Sequence, residues 1–251
     1  MIALAIEGAI AVATLCRPPV NAINDEWIDR LDQVLDEVEA AQSVTVLWIR
    51  SGERLFSAGA DLALMRSRFD SEEGRAKMTA FAQALQTVYA RVEAMQQVSV
   101  AEIGGAAMGG GLELALACDL RVIGELARVG LPEARLGLLP GAGGTQRLTR
   151  ICGDAISRRL ILGAEIVGAT EAVALGLAHW AAPAEGLQAT ARAVVERIAE
   201  LPQAAVAACK HCIASALDAT QDGFEAEIEG TAMLLASAET RERVHRFLNK
   251  G

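Results

Sequence analysis

A single carboxylate, Glu113, interrupts the apolar run from Ile103 to Cys118, and it follows directly on Gly109-Gly110-Gly111-Leu112. That run limits what the chain can fold into. It is shorter than the roughly 18 residues expected of a membrane-crossing helix and holds a glycine triplet, so it does not read as a membrane span. It belongs instead in a protein core, with an acid inside it. An unpartnered carboxylate there costs several kcal/mol or is driven toward its neutral form. Two readings are open. Glu113 lies on the exposed face of an amphipathic helix, or it is held for chemistry. Its neighbours Leu112 and Leu114, and Gly109 and Ala117 one turn away, are small or apolar, so no polar face is visible.

The rest of the chain has material for such a core. With 251 residues, 52% hydrophobic and 22% charged, it suits one large domain or two small ones. Acidic residues outnumber basic ones, 32 to 23, and a net charge of −9 argues against a nucleic-acid surface. The opening MIALAIEGAIAVATLC has no basic start and carries Glu7, so it reads as neither a signal nor a transit peptide. The cytoplasm is the expected location. Five cysteines imply no disulfide framework.

Local patterns give the order of elements. Leu4 to Ile6 and Ala9 to Leu15 read as a hairpin turning at Glu7-Gly8, and Pro18-Pro19 forces an extended turn. Asn24-Asp25-Glu26 opens a helix with acceptors and acids at its positive end. Val44 to Ile49 is a buried strand, about Glu72 to Met95 a long helix, and Val98 to Ile103 another strand. Leu112 to Ala117 is helical, and Asp119 to Ile123 and Ala127 to Gly130 are short strands. From about residue 143 the pattern is mostly helical, with candidates near 153–163, 170–176, 185–200, 202–217, 222–236 and 239–249. The class is α/β with a helical C-terminal part.

Two glycine-bearing loops stand beside helix starts. In Ser57-Ala58-Gly59-Ala60-Asp61 and in Gly109-Gly110-Gly111, small residues leave main-chain N–H groups uncovered, which suits an oxyanion or a phosphate. Ordinary turn chemistry and close helix packing account for them equally. Glu133, after Leu131-Pro132, fits a helix-start or loop glutamate beside Arg135; paired with Glu113 through the fold it would make an acid–base couple around one water. Other chemistries lack their patterns. Gly141-Ala142-Gly143-Gly144-Thr145-Gln146 has no P-loop ending, and no Rossmann fingerprint follows a strand. No Gly-x-Ser-x-Gly elbow is present. Cys209-Lys210-His211-Cys212 lacks the second ligand pair of a zinc site, so no metal is expected.

These residues resemble the enoyl-CoA hydratase/isomerase (crotonase) family over nearly the whole chain. Arg17-Pro18-Pro19-Val20-Asn21-Ala22 is similar to the family's N-terminal signature, and Phe56 to Leu62 to its first oxyanion loop. Met108 to Glu113, with Cys118-Asp119, resembles the second oxyanion loop and first catalytic acid. Val129-Gly130-Leu131-Pro132-Glu133 and Leu138 to Leu148 resemble the second acid and the segment after it. The resemblance implies a spiral of ββα units over 1–195 and a helical oligomerisation region over 196–251, used in a homotrimer or a dimer of trimers. It also implies roles. Glu113 and Glu133 would be catalytic, and the N–H groups of Ala60 and Gly110 would form the oxyanion hole. Val20, Ala22, Ala58, Gly59, Asp61, Leu62, Met108, Gly109, Pro132 and Gly141 would contact an acyl-CoA substrate. CoA is then the substrate's carrier and no separate cofactor is implied.

Some residues depart from the family pattern. Gln97-Val98-Ser99 stands where Lys-Pro is usual, Glu102 replaces a small apolar residue, and the basic-aromatic tail is shorter, ending Phe247-Leu248-Asn249-Lys250-Gly251. Glu102 is read as a third carboxylate near the site or as a strand-edge residue. Two retained acids favour hydration of a 2-enoyl-CoA. Isomerisation of a 3-enoyl-CoA, another CoA-thioester reaction, and a non-catalytic or RNA-associated member are the alternatives.

Overall fold

The computed structural model describes residues 1–249; Lys250 and Gly251, the last two residues of the tail segment read above, lie outside the described residues. The chain opens with an antiparallel hairpin, β1 (Ile2–Glu7) and β2 (Ile10–Leu15). Helix α1 (Asp25–Ala40) follows, with the Asn24 side chain accepting the Trp27 N–H at 3.0 Å as its N-cap. Then come β3 (Val46–Ser51), α2 (Leu62–Arg68), α3 (Glu72–Ala94), β4 (Val98–Ile103), β5 (Ala107–Met108), α4 (Gly110–Ala117), β6 (Leu120–Gly124) and β7 (Arg128–Gly130). The second half holds α5 (Gly144–Cys152), α6 (Asp154–Leu162), β8 (Ile166–Gly168), α7 (Ala169–Ala174), β9 (Trp180–Ala182) and α8 (Leu187–Ala199). It closes with α9 (Gln203–Ser215), α10 (Gly223–Ala236) and α11 (Ala238–Leu248).

The main sheet is six-stranded in the order β1-β2-β3-β4-β6-β9, parallel from β2 onward, and β5-β7-β8 form a smaller sheet. A parallel sheet is stable when both faces are covered, and strand alternation provides two apolar faces here. Ala13, Leu47, Ile49, Ala101, Ile103 and Ile123 face the inner core with α1, α3 and α4. Val12, Val46, Trp48, Val100 and Val122 face outward and are covered by Leu187, Ala191, Val194, Val195 and Ile198 of α8. The division expected at 195/196 falls inside α8, whose Ile198 is still part of that outer layer.

Helix α4 is the innermost element: all 8 of its residues are buried. It begins at Gly110 rather than at Leu112, so the glycines lie inside the first turn and not before it. At its far end the buried Arg121 donates to the carbonyls of Cys118 (2.6 Å) and Ala115 (3.3 Å), and to that of Leu177 (2.6 Å). Tyr89 of α3 donates to the Gly110 carbonyl at 2.9 Å near the other end.

Further sequence expectations need correction. The third strand starts at Val46, because Thr45 and Val46 both donate to the Ala9 carbonyl and turn the chain before the ladder begins. Helix α2 was not expected, and none of the candidate helices covers α5, although the pattern turns helical from about residue 143: Asp61 caps the first through Ala63 and Leu64, and the second starts from Gly143 at φ 101°. Glu102 is neither near the glycine loops nor at an edge. It lies in β4, inside the sheet, and alternates with Ala101 and Ile103, so it faces the outer layer beside Trp48 and Arg50. Burial there pushes its carboxyl upward, opposed by Arg50.

The last helices attach differently. Lys210 of α9 bridges Asp119 (2.7 Å) and the Gln97 carbonyl (3.1 Å), and Asp119 also accepts from the N–H and hydroxyl of Ser99. Gln97-Val98-Ser99 is thus one point where α9 is tied to the sheet, and Gln203, donating to the Val44 carbonyl at 3.0 Å, is another. Among the described residues no helix is long and apolar enough to cross a membrane.

Candidate active site

The loop Ser57–Asp61 is held from beneath by Asn21, a fully buried residue at φ 49°. Its side-chain amide donates to Ser51 (2.8 Å) and to the Phe56 carbonyl (3.1 Å), while Ser57 Oγ donates to the Asn21 carbonyl (2.7 Å) and accepts from Gly59 N–H (3.1 Å). Ala58 N–H goes to Val20 O (3.0 Å) and Asp61 N–H to Ile23 O (2.8 Å). The Ala60 N–H, between them, meets no acceptor among the described residues. The loop also touches the start of α4. A Cβ on Gly59 would lie 2.8 Å from Met108 O, and one on Gly111 2.6 Å from Ser57 Cβ, so only glycine lets the two backbones meet this closely. Gly110 opens α4, and its N–H is likewise free of a protein acceptor. A Cβ on Gly110 would stand 3.9 Å from Ala60 N, which puts the two amides side by side at the positive end of a buried helix.

Glu113 is only 3% exposed and is not on a solvent face. Its Oε1 accepts from Ala142 N–H at 2.8 Å and from Gly144 N–H at 2.7 Å. A Cβ at Gly144 would fall 2.8 Å from that same oxygen. Arg147 braces the 142–144 turn: its Nη1 donates to Ala142 O (2.9 Å) and its Nε to Glu93 of α3 (3.0 Å). Burial drives the Glu113 carboxyl up to about 7, with Glu133 adding to the rise and the two amides opposing it.

Glu133 starts a 3-10 turn, Glu133–Leu136, closed by Gly137 at φ 71°. Its Oε1 reaches to 2.6 Å from where a Gly109 Cβ would be, and Gly109 O is the acceptor of the Glu113 N–H. The two acids are near enough for the charge of Glu133 to act on Glu113. Glu133 Oε2 is buried and meets no donor among the described residues. Burial raises this carboxyl as well.

One cavity of about 970 Å³ contains these groups. Glu113, Glu133, Ala60 and Gly110 all line it, as do Ala58, Gly59, Leu62, Met108, Gly109, Pro132 and Gly141. Val20, Ala22 and Asp61 do not. Val20 and Ala22 lend carbonyls to Ala58 and Arg17, and Asp61 pairs with Arg17 at 2.8 Å while capping α2. Sequence reasoning missed Ala142, Gly144, Arg147 and Tyr89. The Gly141–Gly144 run was a visible signal of close backbone approach, but nothing local named the acid it approaches. Cys209 and Cys212 lie on α9, and among the described residues no group of His, Cys, Asp or Glu is arranged to hold a metal ion.

This arrangement has close counterparts. Residues 5–251 match the family model described as Enoyl-CoA hydratase/isomerase. A probable enoyl-CoA hydratase of Bacillus subtilis is 34% identical over 251 residues, 99% of this chain and 96% of the relative. A short-chain-enoyl-CoA hydratase of Clostridium acetobutylicum is 33% identical, covering 97% of this chain and 93% of the relative. The crystal structure of an enoyl-CoA hydratase from Bacillus anthracis superposes with a TM-score of 0.91 at 29% identity, over 99% of this chain and 96% of that one. The match runs through every helix and every strand after β1, the glycine loops and both acids included, and the chain belongs to the enoyl-CoA hydratase/isomerase family.

Proposed function

We propose that the protein hydrates the 2,3 double bond of an enoyl-CoA thioester. The observation that carries this reading is the convergence of two raised carboxyls, Glu113 and Glu133, with the two free amides of Ala60 and Gly110 in one cavity. The amides hold the thioester oxygen. They favour the enolate-like charge that grows on it as C3 is attacked, and one such donor is worth about 3 kcal/mol of barrier. A water held between the two acids gives its oxygen to C3. Its proton passes to a carboxylate, and a carboxylic acid of the pair gives a proton to C2. A carboxyl near 7 holds and releases a proton at neutral pH, as this two-way traffic requires.

The backbone around Ala58 and Leu62 forms the approach for the CoA carrier, with Gly59, Met108, Gly109, Pro132 and Gly141 shaping the ends of that path, while Val20, Ala22 and Asp61 hold the loop in place from behind it. The addition is redox-neutral, and the reading includes no cofactor beyond the carrier. It includes a homotrimer or a dimer of trimers, supported by the apolar residues that α9 and α10 leave exposed, Ile213, Ile228 and Leu235 among them. The cytoplasm is its proposed location.

The test is loss of enoyl absorbance when purified protein meets crotonyl-CoA and longer 2-enoyl-CoAs, set against Glu113→Gln and Glu133→Gln. Turnover lost in both variants supports hydration. Activity on a 3-enoyl-CoA that survives Glu113→Gln but not Glu133→Gln makes the protein an isomerase. Absence of turnover on every enoyl-CoA overturns the reading.

A further inference from the structure

The cavity does not end at the two acids. It continues between α2 and α3, where Met65, Phe69, Met78, Phe81, Ala82 and Leu85 form its wall. Leu62 and Leu139 also line it while remaining 68% exposed each, an apolar rim facing the opening. The polar groups of this arm are few. Gln86 spends its Nε2 on Gly141 O (2.7 Å), and Thr79 and Gln83 are neutral. Besides the two acids, Arg135 is the charged residue of the lining, and its Nη2 donates to Ala164 O at 2.6 Å. The whole cavity, acids and amides included, measures about 970 Å³, at the upper end of small-molecule sites, and a large share of its wall comes from α2 and α3 beyond the two acids.

We infer that the preferred substrate carries a medium- to long-chain, unsubstituted alkyl tail, seated in the α2–α3 arm, rather than a short or acid-tipped acyl group. The inference rests on the hydratase reading for its reaction, and on the shape and chemistry of the arm for its substrate. Each methylene buried along this wall adds a roughly fourfold gain in apparent affinity. The thioethers of Met65 and Met78 adapt to the irregular surface of a flexible chain. A carboxylate at the tail's end would lose its water against this wall, whose α2 and α3 residues include no cation to pair with it, which selects against it.

The experiment is a chain-length series of kcat/KM, from crotonyl-CoA through 2-hexenoyl-CoA to 2-decenoyl-CoA, with an enoyl-CoA bearing a terminal carboxylate as the contrast. A rise of about a hundredfold or more from crotonyl to decenoyl is expected, with the carboxylated substrate well below decenoyl. A flat or falling series, or a carboxylated substrate that equals decenoyl-CoA, overturns the inference and leaves the hydratase reading intact. Calorimetric binding of butyryl-CoA and decanoyl-CoA separates the opposite case: tighter decanoyl-CoA binding without turnover keeps the arm and removes the reaction. Equal binding of the two overturns the arm. Ala82→Phe, which fills the wall, is expected to lower the decenoyl/crotonyl ratio by about tenfold. The exposed pair Leu62→Ser and Leu139→Ser, which places no burden on folding, is expected to lower the same ratio in the same direction. An unchanged ratio in that pair counts against the inference.

Discussion

The surroundings of α4 and the helices α9 to α11 are built on opposite terms. Every residue of α4 is buried, and both its ends are tied by side chains from other elements. Among α9, α10 and α11 the buried residues are Ser215 and Ala226, while Phe224 is 83% and Phe247 79% exposed. The first region completes its own packing within one chain. The second leaves large apolar side chains in water, an expensive choice unless something covers them. On the proposed reading, the chain keeps its chemical centre and its surface for other copies in separate stretches of sequence, joined by Lys210 and Asp119.

That contrast predicts effects of unequal size. If the two acids act as proposed, Glu113→Gln or Glu133→Gln removes a proton-transfer group while keeping a similar shape, so kcat is expected to fall by about 10²–10⁴-fold with sedimentation unchanged. Gly109→Ala acts through the same acid. Its Cβ would sit 2.6 Å from Glu133 Oε1 at φ +50°, so a loss approaching that of Glu133→Gln is expected in steady-state kinetics. A variant of near-normal kcat would show that Glu133 is free to move.

The next effect is on stability and its sign follows from titration. The folded carboxyl of Glu113 stands near 7 against an ordinary 4.5, so the folded state holds the proton more tightly between those values. Stability falls as pH rises through that window, by about 3 kcal/mol in total for this group. Glu113→Gln keeps the two amide contacts without the charge, so chemical denaturation at pH 8 should find it more stable than the parent, with the gap closing below pH 4.5. A gap of equal size at both pH values would refute the assignment. Lys210→Met, which takes the cation from Asp119, is expected to cost about 1 kcal/mol in the same assay and to loosen α9 in hydrogen exchange. Phe224→Ser and Ile228→Ser should alter the chain's own stability least, within about 0.5 kcal/mol, yet shift sedimentation toward smaller species.

The two regions also differed in how far the sequence could be read. Glu113 stood out because an acid in an apolar run has no bland place to go, and the loop before Asp61 stood out because only small residues occupy it. The hairpin, α1, α3 and β4 followed from periodicity and capping. Glu133 carried no such mark, since its burial comes from a 3-10 turn folded over Gly109, a contact between distant segments. Arg147 and Tyr89 act through single hydrogen bonds across the fold, which no local pattern records. Glu102 is the instructive case. Alternation within its own strand already set it opposite Ala101 and Ile103, so the sequence held the answer that family comparison obscured.

The Arg121 guanidinium at the closed end of α4 has a consequence for the open end. No carboxylate pairs with it among the described residues; it rests on carbonyl oxygens alone. The helix is therefore a polarised rod with a cation clamped to its negative pole, and its remaining pole is aimed at the cavity. An oxygen gaining charge there meets a field that was set when the chain folded. In the proposed reaction, the energy of turning dipoles toward that charge is spent at folding and does not recur with each turnover.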